Sequence, residues 1–175
     1  SRIIGIEPDP HHAEMARKLG CDAVLTPAMP PEDAPFRSDP ALRQQVLELT
    51  DGNGVDVAME MAGFNSALNN AIKVTRRGGD VVLFGVKNGD AVIEDAHRVV
   101  MDGISMHGVV GRQIFQTWEM TRHLLENQSN GIQQAIWDVI LNGGEDTVVG
   151  INEWEKQRFE ERIRRHPKVV IRFSG

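Results

Sequence analysis

The sequence predicts an α/β fold in which a parallel sheet carries helices on both faces and a mainly helical tail follows. Apolar runs alternate with amphipathic segments from residue 2 to about residue 111, which is the order expected of successive strand and helix units. The runs are largely continuous rather than alternating, as expected of strands that are covered on both faces. The alternation stops near residue 116, so we expect a sheet domain over residues 1–116 and a helical tail over residues 117–175.

The predicted strands are short apolar runs that end at turn residues. The first run, RIIGIE, is rich in isoleucine, and the third, VDVAMEMAG, is apolar apart from its acids. The fourth, DVVLFGV, follows a Gly-Gly turn. Strands are therefore expected over residues 2–7, 21–27, 55–63, 80–86, 104–111 and 168–173.

The helices are predicted from N-cap residues, from the helical spacing of apolar residues and from the glycines that end them. Asp9-Pro10 and Asp39-Pro40 each place an N-cap acid before a proline at the first helical position. Asn152 with Glu155 resembles a capping box, and the proline-rich residues 28–40 predict a loop. Helices are therefore expected over residues 10–19, 42–50, 65–76, 117–128 and 132–141, and from about residue 152 through Ile163.

The composition argues against several classes of function. The 19 Lys and Arg residues against 25 Asp and Glu residues leave a net charge of −6, so we expect no nucleic-acid partner. No apolar run approaches the roughly 20 residues that cross a bilayer, so we expect no membrane insertion. The single cysteine, Cys21, permits no intrachain disulfide and no zinc site built on two thiolates. We therefore expect a cytoplasmic protein.

Glu7 is a candidate cofactor ligand because it ends an apolar strand and precedes a helix. In dinucleotide-binding folds, an acid at this place accepts hydrogen bonds from the adenosine ribose hydroxyls and repels a 2′-phosphate. The same position also suits an acid that only caps or solvates the strand end. The sequence contains no glycine-rich turn of the kind that usually holds the pyrophosphate about 20 residues before such an acid.

Five motifs occur in order along nearly the whole chain. They are EPDPHHAEMARKLG, ELTDGNGVDV, EMAG at residues 60–63, RRGG at residues 76–79 with the DVVLFGV that follows, and GVVGRQIFQTW from Gly108 to Trp118. Together they resemble the coenzyme-binding half of the zinc-dependent medium-chain alcohol dehydrogenases, and among these the L-threonine 3-dehydrogenases. The resemblance implies a Rossmann-like parallel sheet and an NAD site.

The resemblance assigns two residues to the adenosine side of that site. It implies that Glu7 holds the adenosine ribose. It places His12 where the family commonly has an arginine near the adenine, and histidine is the poorer charge partner. An exposed histidine in the first turn of a helix, with no ligand, is the alternative interpretation of His12.

The resemblance assigns five further residues to the nicotinamide side. Phe84, Gly85 and Val86 would form the loop beside the nicotinamide. Val109 and Val110 would offer backbone groups to the carboxamide of that ring.

The implied reaction is hydride transfer between NAD and a secondary alcohol such as that of threonine. In the resembled family, the zinc ligands and the proton relay belong to an N-terminal catalytic domain, and the six histidines here are mostly scattered singles. We therefore expect a fragment of a coenzyme-binding domain that binds NAD weakly, holds no zinc and has no catalytic residues of its own. Two alternatives stay open: a stand-alone dimerising scaffold or interaction protein derived from a dehydrogenase, and a portion of an intact zinc-dependent enzyme.

The implied strand order also predicts self-association. In the order 3-2-1-4-5-6, RIIGIE corresponds to the second strand, so the sheet lacks its first strand. The strands at residues 2–7 and 55–61 then lack the neighbour between them, and open edges of buried strands invite pairing with another chain. The segments near residues 137–141 and 168–173 return to the catalytic domain in the resembled family. We expect a homodimer in which tail elements or sheet edges cover one another.

Overall fold

The computed structural model describes residues 1–87, 89–111 and 113–173 of the chain. The chain forms two compact units, and the first consists of Ser1–Ala13 and Asp22–Gly111. The second consists of Glu14–Cys21 and Arg112–Gly175. Arg112, which belongs to the motif GVVGRQIFQTW, lies outside the described residues.

The strands of the described chain pair only in parallel, as predicted. They are β1 (Ile4–Ile6), β2 (Ala23–Leu25), β3 (Val55–Glu60), β4 (Thr75–Leu83), β5 (Ser105–Gly108), β6 (Val148–Gly150) and β7 (Val170–Arg172). β1 pairs with β2, whereas β3, β4 and β5 form a second sheet in that order, and β6 pairs with β7.

The Rossmann-like α/β fold with parallel strands is confirmed. In the described part of the chain, no strand links β1 to β3, so the first unit contains two separate sheets. β6 was not predicted, because Val148 and Val149 make an apolar run too short to indicate a strand.

The helices follow the predicted order closely. They are α1 (Pro10–Lys18), α2 (Leu42–Leu49), α3 (Asn65–Val74), α4 (Ala96–Met101), α5 (Gln116–Glu126), α6 (Ile132–Ala135) and α7 (Lys156–Arg165). The predicted cap of α1 is confirmed, since the Asp9 carboxylate accepts a hydrogen bond from the backbone N–H of His12 at 2.9 Å. Within the described ranges, no helix is both long enough and apolar enough to cross a membrane.

Two predicted caps are wrong. Asp39 does not cap α2, because its carboxylate accepts hydrogen bonds from the N–H groups of Ala28 and Ala41, at 2.9 and 2.8 Å, and so closes the proline-rich loop. Asn152 does not open α7, because residues 151–153 form a separate 3-10 turn. The helix begins after Glu155, which stands at the N-cap without a side-chain cap bond.

The predicted helix over residues 132–141 changes to π-helical geometry after α6.

Helix α3 ends at Val74, two residues before the predicted end at residue 76, and a side chain from α4 bonds carbonyl groups on both sides of this end. Arg98 donates from Nη1 to the carbonyl of Lys73 at 2.5 Å and from Nη2 to the carbonyl of Thr75 at 2.8 Å. Residues 76–79, the predicted RRGG turn, then bulge out of the pairing between β3 and β4.

The core of the first unit lies between α2, α3 and one face of the β3–β5 sheet. Leu42 and Val46 from α2, Leu68 and Ile72 from α3, and Val81 from β4 are almost completely buried there. The predicted apolar face of α2 therefore points into the core. We expected helices on both faces of the sheet, but the second face of β3 is open to solvent.

Asn69 links α3 to two loops. Its Nδ2 donates hydrogen bonds to the carbonyl groups of Phe36 at 2.7 Å and Val92 at 2.9 Å, and its Oδ1 accepts one from the N–H of Glu94 at 2.9 Å. One turn earlier, Asn65 accepts a hydrogen bond from the N–H of Val92 at 3.1 Å. These bonds satisfy backbone groups that a loop over a helix would otherwise leave unpaired.

Glu94 extends this network through a charged contact. Its Oε2 lies 2.9 Å from Lys73 Nζ and accepts a hydrogen bond from Ser38 Oγ at 2.6 Å. Burial disfavours the charged carboxylate, but the hydrogen bonds from Ser38 and Lys73 together outweigh it and lower the pKa of Glu94 to about 2. The ionised form of Glu94 therefore stabilises the first unit.

In the second unit, the Asp146 carboxylate holds α7 to the segment before β6. Arg162 Nε lies 2.9 Å from Oδ1, and His166 Nε2 lies 3.2 Å from Oδ2. The hydrogen bond with His166 is the main cause of a lowered pKa of Asp146; burial opposes it, and the charges of Arg162 and Arg165 add to it. This cluster fixes the end of the helix that carries most of the basic residues of the tail.

We expect Glu94→Gln to remove a pH-dependent part of the stability. The pKa of Glu94 falls from 4.5 to about 2 on folding. The contribution of its carboxylate to the free energy of unfolding is therefore complete above pH 4.5 and disappears as the pH falls to about 2. Urea unfolding at pH 7 should show a loss on the order of 2 kcal/mol for Glu94→Gln. The control Glu48→Gln alters an exposed acid and should change the free energy of unfolding little. If the difference in this free energy between Glu94→Gln and wild type does not shrink in acid, the role of Glu94 is contradicted.

Candidate active site

The carboxyl ends of β3, β4 and β5 lie at one edge of their sheet because the three strands are parallel. In open α/β sheets, ligands bind outside this edge. Residues 61–64, 84–87 and 109–111 follow the three strand ends. These segments and Glu7, which follows β1, all belong to the first unit.

Glu60, the last residue of β3, is a carboxylate with no exposed side-chain surface. Its Oε1 accepts hydrogen bonds from the N–H groups of Ala62 at 2.9 Å and Gly63 at 2.7 Å. Its Oε2 lies 3.0 Å from Lys87 Nζ, which also donates to the carbonyl of Phe64 at 3.1 Å. A buried charge needs a partner and hydrogen bonds, and Glu60 has both.

The predicted nicotinamide-side loop is held directly against this acid. The N–H groups of Phe84 and Gly85 both donate to the carbonyl of Glu60 at 2.9 Å. A Cβ on Gly85 would lie 2.8 Å from the Cα of Gly63, and a Cβ on Gly63 would lie 2.5 Å from the carbonyl oxygen of Val86. The loops after β3 and β4 can approach this closely because both of these positions are glycine, which has no Cβ.

Val109 and Val110 continue the same edge beyond β5. The N–H of Val109 donates to the carbonyl of Leu83 at 2.9 Å, which extends the pairing of β4 and β5 by one residue. The side chain of Val110 is almost fully exposed. The structure thus places Phe84, Val86, Val109 and Val110 at neighbouring strand ends.

Glu7 and His12 both contact Asp9 at the turn between β1 and α1. Glu7 Oε1 accepts a hydrogen bond from the N–H of Asp9 at 2.9 Å, which is the bond expected if Glu7 caps the strand end. Within the described ranges, no residue donates to Glu7 Oε2. The His12 ring is half exposed, with Nδ1 3.8 Å from Asp9 Oδ1. The pKa of Asp9 is lowered, chiefly by the backbone hydrogen bond from His12.

Glu60 and Lys87 were not predicted as site residues. The signal for Glu60 was present, because it is an acid at the end of an apolar strand and so follows the same rule that selected Glu7. Lys87 carried no such signal. Only the fold brings its ammonium group, 27 residues along the chain, to the Glu60 carboxylate.

The described residues do not fit a zinc ion. Within residues 1–87, 89–111 and 113–173, no three or more His, Cys, Asp or Glu side chains form a group that could hold a metal. Histidines form pairs with single carboxylates, as His107 does with Asp80 at 2.8 Å. A structural or catalytic zinc site needs three or four ligands.

Comparison with known proteins decides the family. A family model described as zinc-binding dehydrogenase matches residues 1–127. The chain belongs to the zinc-binding dehydrogenases. It is 30% identical to the L-threonine 3-dehydrogenase of Pyrococcus horikoshii over 125 residues, which are 71% of this chain and 33% of that protein. It is 29% identical to the L-threonine 3-dehydrogenase of Bacillus velezensis over 127 residues, which are 73% of this chain and 34% of that protein.

The family assignment confirms the resemblance drawn from the five motifs, and solved structures show the same fold. An alcohol dehydrogenase from Thermotoga maritima matches 98% of this zinc-binding dehydrogenase chain with a TM-score of 0.72, at 18% identity and over 43% of its own length. The 2R,3R-butanediol dehydrogenase of Bacillus subtilis matches 97% with a TM-score of 0.67, at 20% identity and over 42% of its own length. The chain spans about a third of the length of its curated relatives.

We expect Gly85→Ala to separate the loops after β3 and β4. The added methyl group meets backbone atoms, which cannot move aside as a flexible side chain can, so urea unfolding should show a loss of about 1–3 kcal/mol. Gly108→Ala is the matched control at the end of β5, because a Cβ there meets nothing within 4 Å. Equal urea midpoints of unfolding for Gly85→Ala and Gly108→Ala would show that the close approach of the two loops at Gly85 does not exist.

Proposed function

We propose that the chain is the coenzyme-binding part of an NAD-dependent, zinc-type alcohol or threonine dehydrogenase, that it binds NAD weakly, and that it does not catalyse hydride transfer alone. The observation that carries this proposal is the set of preformed loops at the carboxyl ends of β3, β4 and β5, with Glu7 after β1 in the same unit. Family membership supports the assignment to redox chemistry.

On the adenosine side, Glu7 is suited to ribose hydroxyl groups. Its Oε1 is bonded to the turn, and Oε2 is left as an acceptor for a ligand. A carboxylate at this place favours NAD over NADP, because a 2′-phosphate would meet its negative charge. His12 presents a half-exposed ring near that turn and would contact the adenine end.

On the nicotinamide side, the loop after β4 would line one wall. Phe84 and Val86 expose 46% and 90% of their surfaces, so an apolar ring could cover them. The N–H of Val109 is already bonded to Leu83, so the carboxamide would meet the Val109 carbonyl or the Val110 backbone. NAD supplies a hydride acceptor when it is bound.

The groups that activate the alcohol would come from elsewhere. Oxidation of a secondary alcohol needs a Lewis acid or a base at its oxygen. The described residues offer no metal-ligand group, and the curated relatives are about three times as long as the matched region. We therefore assign only cofactor binding to this chain, and the substrate is not assigned.

A second candidate function, a dimerising scaffold, is favoured by the open face of β3. Val57 and Met59 project from this strand and are 50% and 62% exposed. Large apolar side chains side by side on a sheet face mark an interaction surface. We propose that a second copy of the chain covers this face, and that the dimer forms whether or not NAD is bound.

An intact zinc-dependent dehydrogenase of which this chain is a portion is the third candidate. Coverage of only 33% of the Pyrococcus horikoshii relative favours it. The DNA upstream of the codon for Ser1 distinguishes it from the other two. An in-frame glycine-rich turn and a cysteine-bearing domain there would favour the intact enzyme.

We expect saturable but weak binding of NAD, weaker binding of NADP, and a further loss of NAD affinity in Glu7→Gln of about tenfold. Isothermal titration calorimetry at millimolar NAD measures all three. Glu32→Gln, which alters an exposed acid in the proline-rich loop, is the matched control and should bind like wild type. No heat from wild type at millimolar NAD would refute the proposed cofactor site.

We expect the wild type to sediment as a dimer at micromolar concentration and Met59→Glu to shift it towards monomer. A charge on the apolar face of β3 opposes its burial against another copy. Val100→Glu places the same charge on α4, where the side chain is 79% exposed, and should leave the dimer intact. A monodisperse wild-type monomer would rule out the scaffold.

A further inference from the structure

Lys87 is the side chain that joins the two loops at the proposed nicotinamide wall. Its Nζ contacts the Glu60 carboxylate at 3.0 Å and the Phe64 carbonyl at 3.1 Å, and both partners belong to the segment that follows or ends β3. Lys87 itself follows the loop after β4. The lysine therefore fastens residues 84–86 to the end of the neighbouring strand.

The surroundings make this contact stronger than a surface ion pair. The side chains of Lys87 and Glu60 are 14% and 0% exposed, so solvent screens the pair only weakly. Glu60 Oε1 is occupied by the N–H groups of Ala62 and Gly63, which leaves Oε2 to Lys87. Loss of the ammonium group would leave a buried carboxylate without its cation.

We propose that Lys87 is a positioning residue that holds the loop of residues 84–86 in the conformation that receives the nicotinamide. This inference rests on the proposed NAD site. The loop has two backbone bonds to Glu60, from Phe84 and Gly85, but both lie at its start. Lys87 holds its other end, so Val86, whose side chain is 90% exposed, is fixed from both sides. A ligand then meets a preformed wall and loses less free energy in ordering it.

The first measurement is saturation-transfer NMR with NAD, because it compares both ends of the cofactor in one weak complex. For Lys87→Met we expect the transfer to nicotinamide protons to fall several-fold relative to the adenine protons. Lys87→Arg, which keeps the charge and the donors, should retain most of the wild-type ratio. Lys156→Met alters an exposed lysine of α7 and should leave the ratio unchanged.

A double variant separates positioning from stability. Lys87→Met alone leaves Glu60 buried without its cation, so a loss of stability is expected for any role of the lysine. Glu60→Gln with Lys87→Met removes both charges and should recover stability but not the nicotinamide signal. Recovery of the nicotinamide signal together with stability would overturn the proposal.

Amide hydrogen exchange tests the same contact without a ligand. The amides of Phe84 and Gly85, which donate to the Glu60 carbonyl, should exchange several-fold faster in Lys87→Met and in the double variant, whereas those of α2 should not change. If wild type binds no NAD, the proposed function fails, and the exchange rates still decide whether Lys87 holds the loop. Unchanged exchange in both variants would overturn the inference while leaving NAD binding intact.

Discussion

A carboxylate that is completely buried at the end of β3 is the constraint on which the proposed site depends. The free energy needed to remove a charge from water is large, so both carboxylate oxygens of Glu60 need donors from the fold. These donors come from the turn after β3 and from Lys87. One requirement of electrostatics therefore fixes the positions of two loops, and these are the loops at the ligand-binding edge of the sheet.

A second polar network performs a similar task on α3. Its apolar residues Leu68 and Ile72 enter the core, while Asn65, Asn69 and Lys73 lie one turn apart and bind loops. The helix is thus buried on its apolar side and largely covered on its polar side. This explains how the loops that contain Phe36 and Val92 stay ordered although they contain little regular structure.

The fold could be predicted largely from local pattern, because apolar runs and glycines report strands and turns directly. β1, α1 and α2 were placed within a few residues, and the resemblance supplied the strand order. The two wrong caps have local explanations. Asp39 and Asn152 carry the usual capping signal, but the N–H of Ala28 competes for the first and a local 3-10 turn includes the second. The candidate site residues came from family motifs and, for Glu7, from the end of a strand. The contact of Lys87 with Glu60 depends on long-range geometry and was not predicted.

The division of the sheet limits how a second copy could complete it. Two identical edges that pair across a two-fold axis run antiparallel, so β3 of one copy could pair with β3 of its partner and still leave the free edge of β1 unpaired. Burial of the apolar face of β3 has no such restriction, because side-chain packing does not require a strand direction. Val57 and Met59 can therefore be covered by symmetry alone, whereas the backbone groups between β1 and β3 need a strand parallel to both. A dimer that packs through the open face of β3 and a strand added between β1 and β3 are thus compatible. The dimer would cover exposed apolar side chains, and the strand would pair free backbone groups.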